Sequence, residues 1–134
     1  MKYNRIVRIS YSTQDVSSAQ PGSNRPLLAT PPRRILLVKT SSLGDVVHAL
    51  PVVSDLHRRF PEAQIDWVVE EAYADIPRLH PAVRRVIPVA LRRWRMTLLR
   101  AATWREMRAA LGALRTDDYD IILDAQGLVK SALL

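Results

Sequence analysis

The sequence contains no cysteine, and this absence excludes a disulfide framework and any metal site built on thiolates. Its three histidines are scattered and do not form the closely spaced sets that zinc requires, so we expect no structural metal. No run of ~18 consecutive apolar residues could span a bilayer, and the amino terminus lacks the apolar core of a signal peptide. These absences favour a soluble, cytoplasmic protein.

Acidic residues are nearly absent from one segment, and this gives the chain its net charge of +7. The segment from Arg84 to Arg108 holds eight arginines and a single acid, Glu106, whereas the other 12 basic and 12 acidic residues balance. A localised excess favours an anion-binding site over a chain that is basic throughout. Arginines on a solvated helix face, or arginines lying over apolar surface, are the alternative interpretation.

The 134 residues, 48% of them hydrophobic, are enough for one folded domain. Residues 1–33 are rich in Pro, Ser, Gln and Asn with almost no apolar periodicity, so we interpret them as a disordered or misassigned extension. Residues 34–134 are the predicted domain. The sequence stops in what resembles the first turns of a helix, so we expect a truncated domain of a longer protein.

Apolar runs alternate with helical patterns along residues 34–134. Strands are predicted at 35–38, 65–69, 83–89 and 119–123, and the first has the unbroken apolar run of a strand covered on both faces. Helical spacing from Val46 to Phe60 predicts a helix that Pro51 should kink or delay, and a short helix at 72–79 follows. Trp104, Met107, Leu111 and Leu114 share one predicted helix face. The alternation indicates α/β class, with a Rossmann-like parallel sheet.

The first strand is followed by a loop of small residues, Lys39-Thr40-Ser41-Ser42-Leu43-Gly44-Asp45. It matches neither the phosphate-binding P-loop nor the dinucleotide fingerprint, since Gly44 is its one glycine. Open α/β sheets bind ligands at such strand ends. An ionised Asp45 in the first helical turn could act as a general base toward a hydroxyl group, or it could simply cap the helix.

Two further strand ends carry polar residues. Asp124-Ala-Gln126-Gly127 follows the last predicted strand, and its end should face the Asp45 loop across one crevice. The alternative is a simple turn that needs Gly127 for its backbone conformation. Glu70 and Glu71 end the second strand, and an adjacent pair of carboxylates is usually just solvated.

Four collinear blocks resemble the lipopolysaccharide heptosyltransferases of glycosyltransferase family 9, type I in particular. They read RILLVKTSSLGDVVHALP from Arg34, IDWVVEE from Ile65, RVIPVA from Arg85 with RRWR from Arg92, and YDIILDAQGLVKS from Tyr119. The match covers residues 34–134 in unbroken order.

The resemblance implies the amino-terminal, acceptor-binding domain of a two-domain GT-B glycosyltransferase in lipopolysaccharide core biosynthesis. Such an enzyme transfers L-glycero-D-manno-heptose from ADP-heptose to Kdo of Kdo-lipid A, with inversion and without metal or cofactor. It implies a donor held mainly by a carboxyl-terminal domain, so that this chain alone is inactive. It also implies peripheral contact with the cytoplasmic face of the inner membrane, and no nucleic acid.

The resemblance assigns the catalytic base to Asp45. Basic residues after the third strand match the family's acceptor loop, and guanidinium groups suit the carboxylates of Kdo and the phosphates of lipid A. The substrate-binding candidates are Lys39, Thr40, Ser41, Ser42, Gly44, Arg92, Arg93, Arg95, Gln126 and Gly127.

Two alternatives stay open on the sequence. A heptosyltransferase II would add heptose to heptose. A basic nucleic-acid-binding module would fit the sequence pI near 10.5, although Trp94 and Trp104 are few aromatic residues for base stacking.

Overall fold

Five strands form one parallel sheet in the computed structural model, which describes residues 5–8 and 30–125. Their order across the sheet is β1-β5-β2-β3-β4, and every neighbouring pair is parallel. The strands are β1 (Arg5–Arg8), β2 (Arg34–Val38), β3 (Gln64–Glu70), β4 (Val83–Val89) and β5 (Ile121–Asp124). The predicted α/β class with a Rossmann-like parallel sheet is confirmed.

Helices cover both faces of this sheet. They are α1 (Leu43–Arg59), a 3-10 turn (Glu71–Tyr73), α2 (Asp75–Arg78), α3 (Leu91–Met96) and α4 (Ala101–Arg115). Alternate strand residues, including Ile35 and Trp67, pack with α1, while Leu36 and Val68 pack with Trp94 of α3 and with residues of α4. Both faces of β2 and β3 are therefore buried, which explains their unbroken apolar runs.

A buried carboxylate lies at the amino end of β3. Asp66 is fully buried, and Arg84 donates to both of its oxygens, at 2.8 and 2.5 Å. The hydroxyl of Tyr119 donates to Oδ2 at 2.7 Å, and Arg85 also bonds Oδ2. Asp117 accepts bonds from both arginines at the same edge. This network joins β3, β4 and the segment before β5.

The helix boundaries differ from prediction at two points. Helix α1 begins at Leu43, three residues before the predicted start, and it continues through Pro51. Pro51 and Val47 are both exposed, so water can satisfy the carbonyl that loses its partner at the proline. Short α2 is preceded by a separate 3-10 turn, where the sequence predicts one interrupted helix over 72–79.

The predicted face of α4 is buried only in part. Thr103 is buried and Met107, Ala110 and Leu114 pack on the sheet, whereas Trp104 and Leu111 are about half exposed. Met107 and Leu114 of the predicted face therefore contact the core, and its other two residues do not, because the small residue Ala110 lets the opposite side of the helix approach the sheet.

Part of the predicted amino-terminal extension has structure. Residues Arg5–Arg8 form β1, which pairs with β5 at the edge of the sheet, so the interpretation as disorder does not hold for these four residues. Most of the remaining extension lies outside the described residues. No helix in the described ranges is long and apolar enough to cross a membrane, and no metal-binding group of three side chains occurs in them.

Candidate functional site

The strand order places a topological switch point beside β2. The chain runs from β2 outward to β3 and β4, and it then returns to β5 on the other side of β2. In open α/β sheets, ligands bind beyond the carboxyl ends of the strands where the order reverses in this way. Val38 is in register with Asp124, and the backbone N–H of Ala125 donates to the Val38 carbonyl at 3.0 Å. The two loops predicted to face each other therefore begin side by side.

Asp45 lies at this switch point, in the first turn of α1. Ser42 is the residue that caps the helix, and Asp45 is three residues later. The Asp45 Oδ2 atom accepts hydrogen bonds from the Ser42 backbone N–H at 3.1 Å and from the Ser42 hydroxyl at 3.2 Å. Its side chain is 56% exposed, and Oδ1 has no partner among the described residues. Capping therefore uses only one of the two carboxylate oxygens.

Asp45 is held in its ionised form. The backbone N–H of Ser42 first, then the charge of Lys39 and the Ser42 hydroxyl, lower the pKa of the Asp45 carboxyl. The ammonium Nζ of Lys39 lies 3.9 Å from Asp45 Oδ2 and donates to the Ala125 carbonyl at 2.9 Å. Lys39 thus bridges the loop after β5 and the carboxylate at the start of α1.

The other small residues of the loop differ in their exposure and contacts. Thr40 is buried, and its carbonyl accepts the Glu70 backbone N–H at 3.0 Å, whereas Ser42 and Gly44 are exposed. A Cβ built on Gly44 meets nothing within 4 Å, so the fold itself does not require glycine there. Ser41 is partly buried between Thr40 and Ser42. Gln126 and Gly127 lie outside the described residues, and Asp124 ends β5 instead of starting the loop.

Glu70 belongs to this site, although the sequence predicts a merely solvated pair with Glu71. Its side chain is 4% exposed, and its carboxylate accepts the backbone N–H groups of Leu91 at 3.2 Å and Arg92 at 3.3 Å. These are the first two residues of α3, whose free N–H groups favour a negative charge. Through its own N–H to Thr40, Glu70 joins the Asp45 loop to α3. No local pattern distinguishes Glu70 from Glu71, because its partners lie 21 and 22 residues later.

Replacing Glu70 by glutamine tests this link. An amide offers one acceptor to two N–H donors, so we expect stability to fall by about 1–3 kcal/mol and exchange of the Leu91 and Arg92 amides to accelerate at least tenfold. Hydrogen exchange followed by NMR measures both amides. The control Glu62→Gln changes an exposed carboxylate, and it should alter the free energy of unfolding by less than about 0.5 kcal/mol. Unchanged exchange at Leu91 and Arg92 would contradict the role given to Glu70.

The three arginines predicted to bind the acceptor lie on α3, at the same sheet edge as Asp45, but they differ in their contacts. Arg93 donates to both oxygens of Glu71 at 3.1 Å and also pairs with Glu106 on α4 at 2.8 Å. Arg92 and Arg95 are exposed, and neither side chain has an ion pair in the described part of the chain. Arg92 and Arg95 are therefore available to an anion, whereas Arg93 fixes α3 to its neighbours.

The arginine-rich segment is not one anion site. Arg84 and Arg85 bind Asp66 and Asp117 at the amino ends of the strands, the edge opposite to Asp45. An acid between apolar residues, Asp66 in Ile65-Asp-Trp67, is the signal in the sequence that could have indicated this network. The prediction that the excess charge forms a single local site is therefore wrong for these two residues.

A groove of about 360 Å³ runs along β4 and is lined by residues of α3 and α4, among them Arg93, Trp94 and Ala110. Asp45 is not among the residues that line it. The ionised carboxylate of Asp45 lies at the switch point, outside this groove, whereas Arg92 and Arg95 follow β4 on α3. Together, the sheet order and the carboxylate-bearing loop define a Rossmann-like domain with a candidate ligand site at its switch point.

Curated relatives match most of this chain. It is 58% identical over 104 residues to lipopolysaccharide heptosyltransferase 1 of Pseudomonas aeruginosa, a match that covers 75% of this chain and 28% of the relative. It is 54% identical over 101 residues to lipopolysaccharide heptosyltransferase 1 of Escherichia coli (strain K12), a match that covers 75% of this chain and 32% of the relative. No protein-family model matches the chain.

Solved structures agree in fold. A structure of E. coli heptosyltransferase WaaC with ADP-2-deoxy-2-fluoro heptose is 53% identical, with a TM-score of 0.70 over 75% of this chain and 32% of that one. A second, of the same protein with ADP, has a TM-score of 0.71 over 75% of this chain and 31% of that one.

The chain belongs to the lipopolysaccharide heptosyltransferase 1 family, which is a family of glycosyltransferases. It spans about 30% of the length of these relatives.

Proposed function

We propose that this chain supplies the acceptor-binding side of a heptosyltransferase that transfers L-glycero-D-manno-heptose from ADP-heptose to Kdo of Kdo-lipid A. The observation that carries the proposal is Asp45, an ionised and half-exposed carboxylate at the switch point with one oxygen free of contacts among the described residues. A carboxylate in this state can accept a proton, which is the requirement for a general base.

In the proposed reaction, Asp45 accepts the proton of the acceptor hydroxyl. The hydroxyl oxygen forms a bond to the anomeric carbon of heptose, the bond from that carbon to the diphosphate oxygen breaks, and ADP leaves. Attack from the face opposite to ADP inverts the anomeric carbon. An anionic substrate group bound to Lys39 would offset the charge that lowers the pKa of Asp45, and it would thereby strengthen the base when substrate is present.

The acceptor is anionic, and α3 offers charges to match it. Arg92 and Arg95 are exposed at the same sheet edge as Asp45, and guanidinium groups bind carboxylates and phosphates through paired, charge-assisted hydrogen bonds. Glu70 and the Arg93 contacts support this part by fixing the start and the side of α3. We also propose peripheral contact with the cytoplasmic face of the inner membrane, because a lipid-linked acceptor lies in such a surface.

The donor is expected to bind mainly through protein outside this chain. The chain spans about 30% of the length of its relatives, and it matches 31% of the E. coli heptosyltransferase WaaC chain that was solved with ADP. Without those contacts the donor would not be held near Asp45, and holding two reactants in place accounts for a large part of catalysis.

A transfer assay with two proteins tests the proposed function. The first is the 134-residue chain, and the second is a chimera in which residues 34–134 replace the matching segment of E. coli lipopolysaccharide heptosyltransferase 1. With ADP-heptose and Kdo-lipid A, we expect no transfer by the chain alone, and transfer by the chimera within about tenfold of the E. coli protein. A folded chimera that transfers heptose only to an already heptosylated acceptor would favour the type II alternative. A folded chimera without any transfer would contradict the proposal.

Replacing Arg92 and Arg95 by alanine in the chimera tests acceptor binding. Charge contacts are screened over ~8–10 Å at physiological ionic strength, so the acceptor KM should rise about tenfold and lose most of its salt dependence. The donor KM should stay nearly unchanged.

The control variant Arg58→Ala with Arg59→Ala removes the same charge at the opposite end of α1. It should leave both constants unchanged. If the acceptor KM stays the same in the Arg92 and Arg95 variant at every salt concentration, these arginines form a solvated surface and the acceptor's anions bind elsewhere.

A further inference from the structure

Exposed apolar side chains are concentrated in the α3–α4 region. Leu99 is fully exposed and Met96 is 87% exposed, although large apolar residues are normally buried. Leu98, Trp104 and Leu111 are each about half exposed. None of these five side chains belongs to the two cores or to the Asp45 loop.

The turn between α3 and α4 presents its leucines in a fixed position. The Arg100 backbone N–H donates to the Thr97 carbonyl at 3.0 Å, which places Leu98 and Leu99 at the two central positions of a turn. The indole N–H of Trp104 donates to the Leu98 carbonyl at 2.8 Å, and the Thr97 and Thr103 hydroxyls bond at 2.8 Å. These contacts hold the turn on the first turn of α4.

Basic residues flank these apolar side chains. Trp104, Arg108, Leu111 and Arg115 follow one another at spacings of four, three and four, so they share one face of α4, and all four are exposed. We call this region the apolar–basic surface. It consists of nine residues, Arg95, Met96, Leu98, Leu99, Arg100, Trp104, Arg108, Leu111 and Arg115. None of its four arginines has an ion pair in the described ranges.

We propose that the apolar–basic surface docks on an anionic phospholipid membrane, with the Leu98–Leu99 turn inserted at the interface. A lipid interface is apolar and anionic at once, and it therefore matches both components of the surface, with a tryptophan suited to the boundary. The phosphate backbone of a nucleic acid would bind the arginines but would not bury the exposed leucines. A second copy of this chain would bring two positively charged surfaces together, which is unfavourable for a chain of charge +7.

The proposal deepens the proposed function, because a lipid-linked acceptor would reach Asp45 from such a membrane. Helix α4 follows the carboxyl end of β4 and returns toward the start of β5. The Leu98–Leu99 turn therefore lies toward the same sheet edge as Asp45.

Flotation of the 134-residue chain with vesicles tests the proposal independently of any transfer activity. We expect binding to phosphatidylcholine vesicles that contain phosphatidylglycerol and at least tenfold weaker binding to phosphatidylcholine alone. The double variant Leu98→Ser and Leu99→Ser should weaken binding to the anionic vesicles by at least about tenfold. Removing one leucine side chain from water into the lipid interface strengthens binding by about this factor. The control Leu79→Ser changes a leucine that is 81% exposed and lies outside this surface, and this variant should bind like the unchanged chain.

Tryptophan fluorescence gives a second readout. Trp67 and Trp94 are buried, so quenching by bromine-labelled lipids should report Trp104, and Trp104→Phe should abolish it. No binding to anionic vesicles, or equal binding by the double serine variant, would overturn the proposal. A dimer of the unchanged chain in sedimentation velocity, with the double serine variant monomeric, would also overturn the proposal. The surface would then join two copies of the chain.

Discussion

Replacing Asp66 by alanine should lower the free energy of unfolding by about 3 kcal/mol, the largest loss of stability that we expect from any single polar side chain in this domain. The carboxylate is fully buried and accepts bonds from Arg84, Arg85 and Tyr119. Without it, two guanidinium groups and a phenol lose their shared partner. The loss lies at the lower end of the usual ~3–5 kcal/mol for a broken buried pair, because the arginines are about one-third exposed and regain water.

Urea unfolding of the 134-residue chain measures this loss. The control Asp55→Ala breaks an exposed pair with Arg58 on α1 and should cost less than about 1 kcal/mol. If Asp66→Ala does not fold, Tyr119→Phe removes one hydrogen bond of the network and should cost about 1–3 kcal/mol. Equal midpoints for the Asp66 and Asp55 variants would contradict the importance given to the network.

The same network predicts how stability depends on pH. Burial raises the pKa of Asp66, but hydrogen bonds from Arg84 and Tyr119 and the charges of both arginines outweigh burial, so the pKa is lowered. Because the pKa of Asp66 is lower in the folded chain, its carboxylate stabilises the fold at every pH above the unfolded-state pKa of about 3.9. This stabilisation is lost as the pH falls through the folded-state pKa. Burial and the bond to Asp66 raise the pKa of Tyr119 to about 12, so its contribution is complete below about pH 10 and is lost as pH rises toward 12.

Much of the fold follows from local patterns in the sequence. Continuous apolar runs at 35–38 and 65–69 predict strands covered on both faces, and the structure confirms them within β2 and β3. The predicted face of α4 packs on the core at Met107 and Leu114 only, because periodicity identifies large apolar side chains, whereas the structure also buries Thr103 and packs Ala110 on the core. Pro51 misleads because its cost depends on whether the carbonyl that loses its partner can reach water.

The candidate site divides in the same way. The sequence predicts a loop from Lys39 to Asp45 at a strand end, and the structure places their charged groups 3.9 Å apart there, because a loop and the helix after it are local in sequence. The role of Glu70 and the division among the arginines depend on partners 20 or more residues away, and the charge total of a segment does not contain this information. Charge count predicts one anion site. In the structure, Arg84 and Arg85 belong to the network at the opposite edge, and Arg93 pairs with Glu71 and Glu106. The remaining arginines of the segment are exposed.

Asp45→Asn in the chimera should lower kcat by ~10²–10⁴-fold, the usual cost of removing a general base, while the acceptor KM changes by less than about threefold. An amide oxygen can still accept the Ser42 N–H, so the start of α1 and the melting temperature should be preserved. The control Ser42→Ala removes one hydroxyl contact to Oδ2 and leaves the carboxylate in place. It should therefore keep kcat within about tenfold.

The most direct measurement is single-turnover heptose transfer by the chimera and its Asp45→Asn variant, with both substrates saturating and the folded fraction determined by thermal unfolding. We predict that the variant melts like its parent and binds the acceptor, but transfers heptose at least ~10²-fold more slowly. If transfer falls by less than about fivefold while the melting temperature drops sharply, Asp45 caps α1 and the base lies elsewhere.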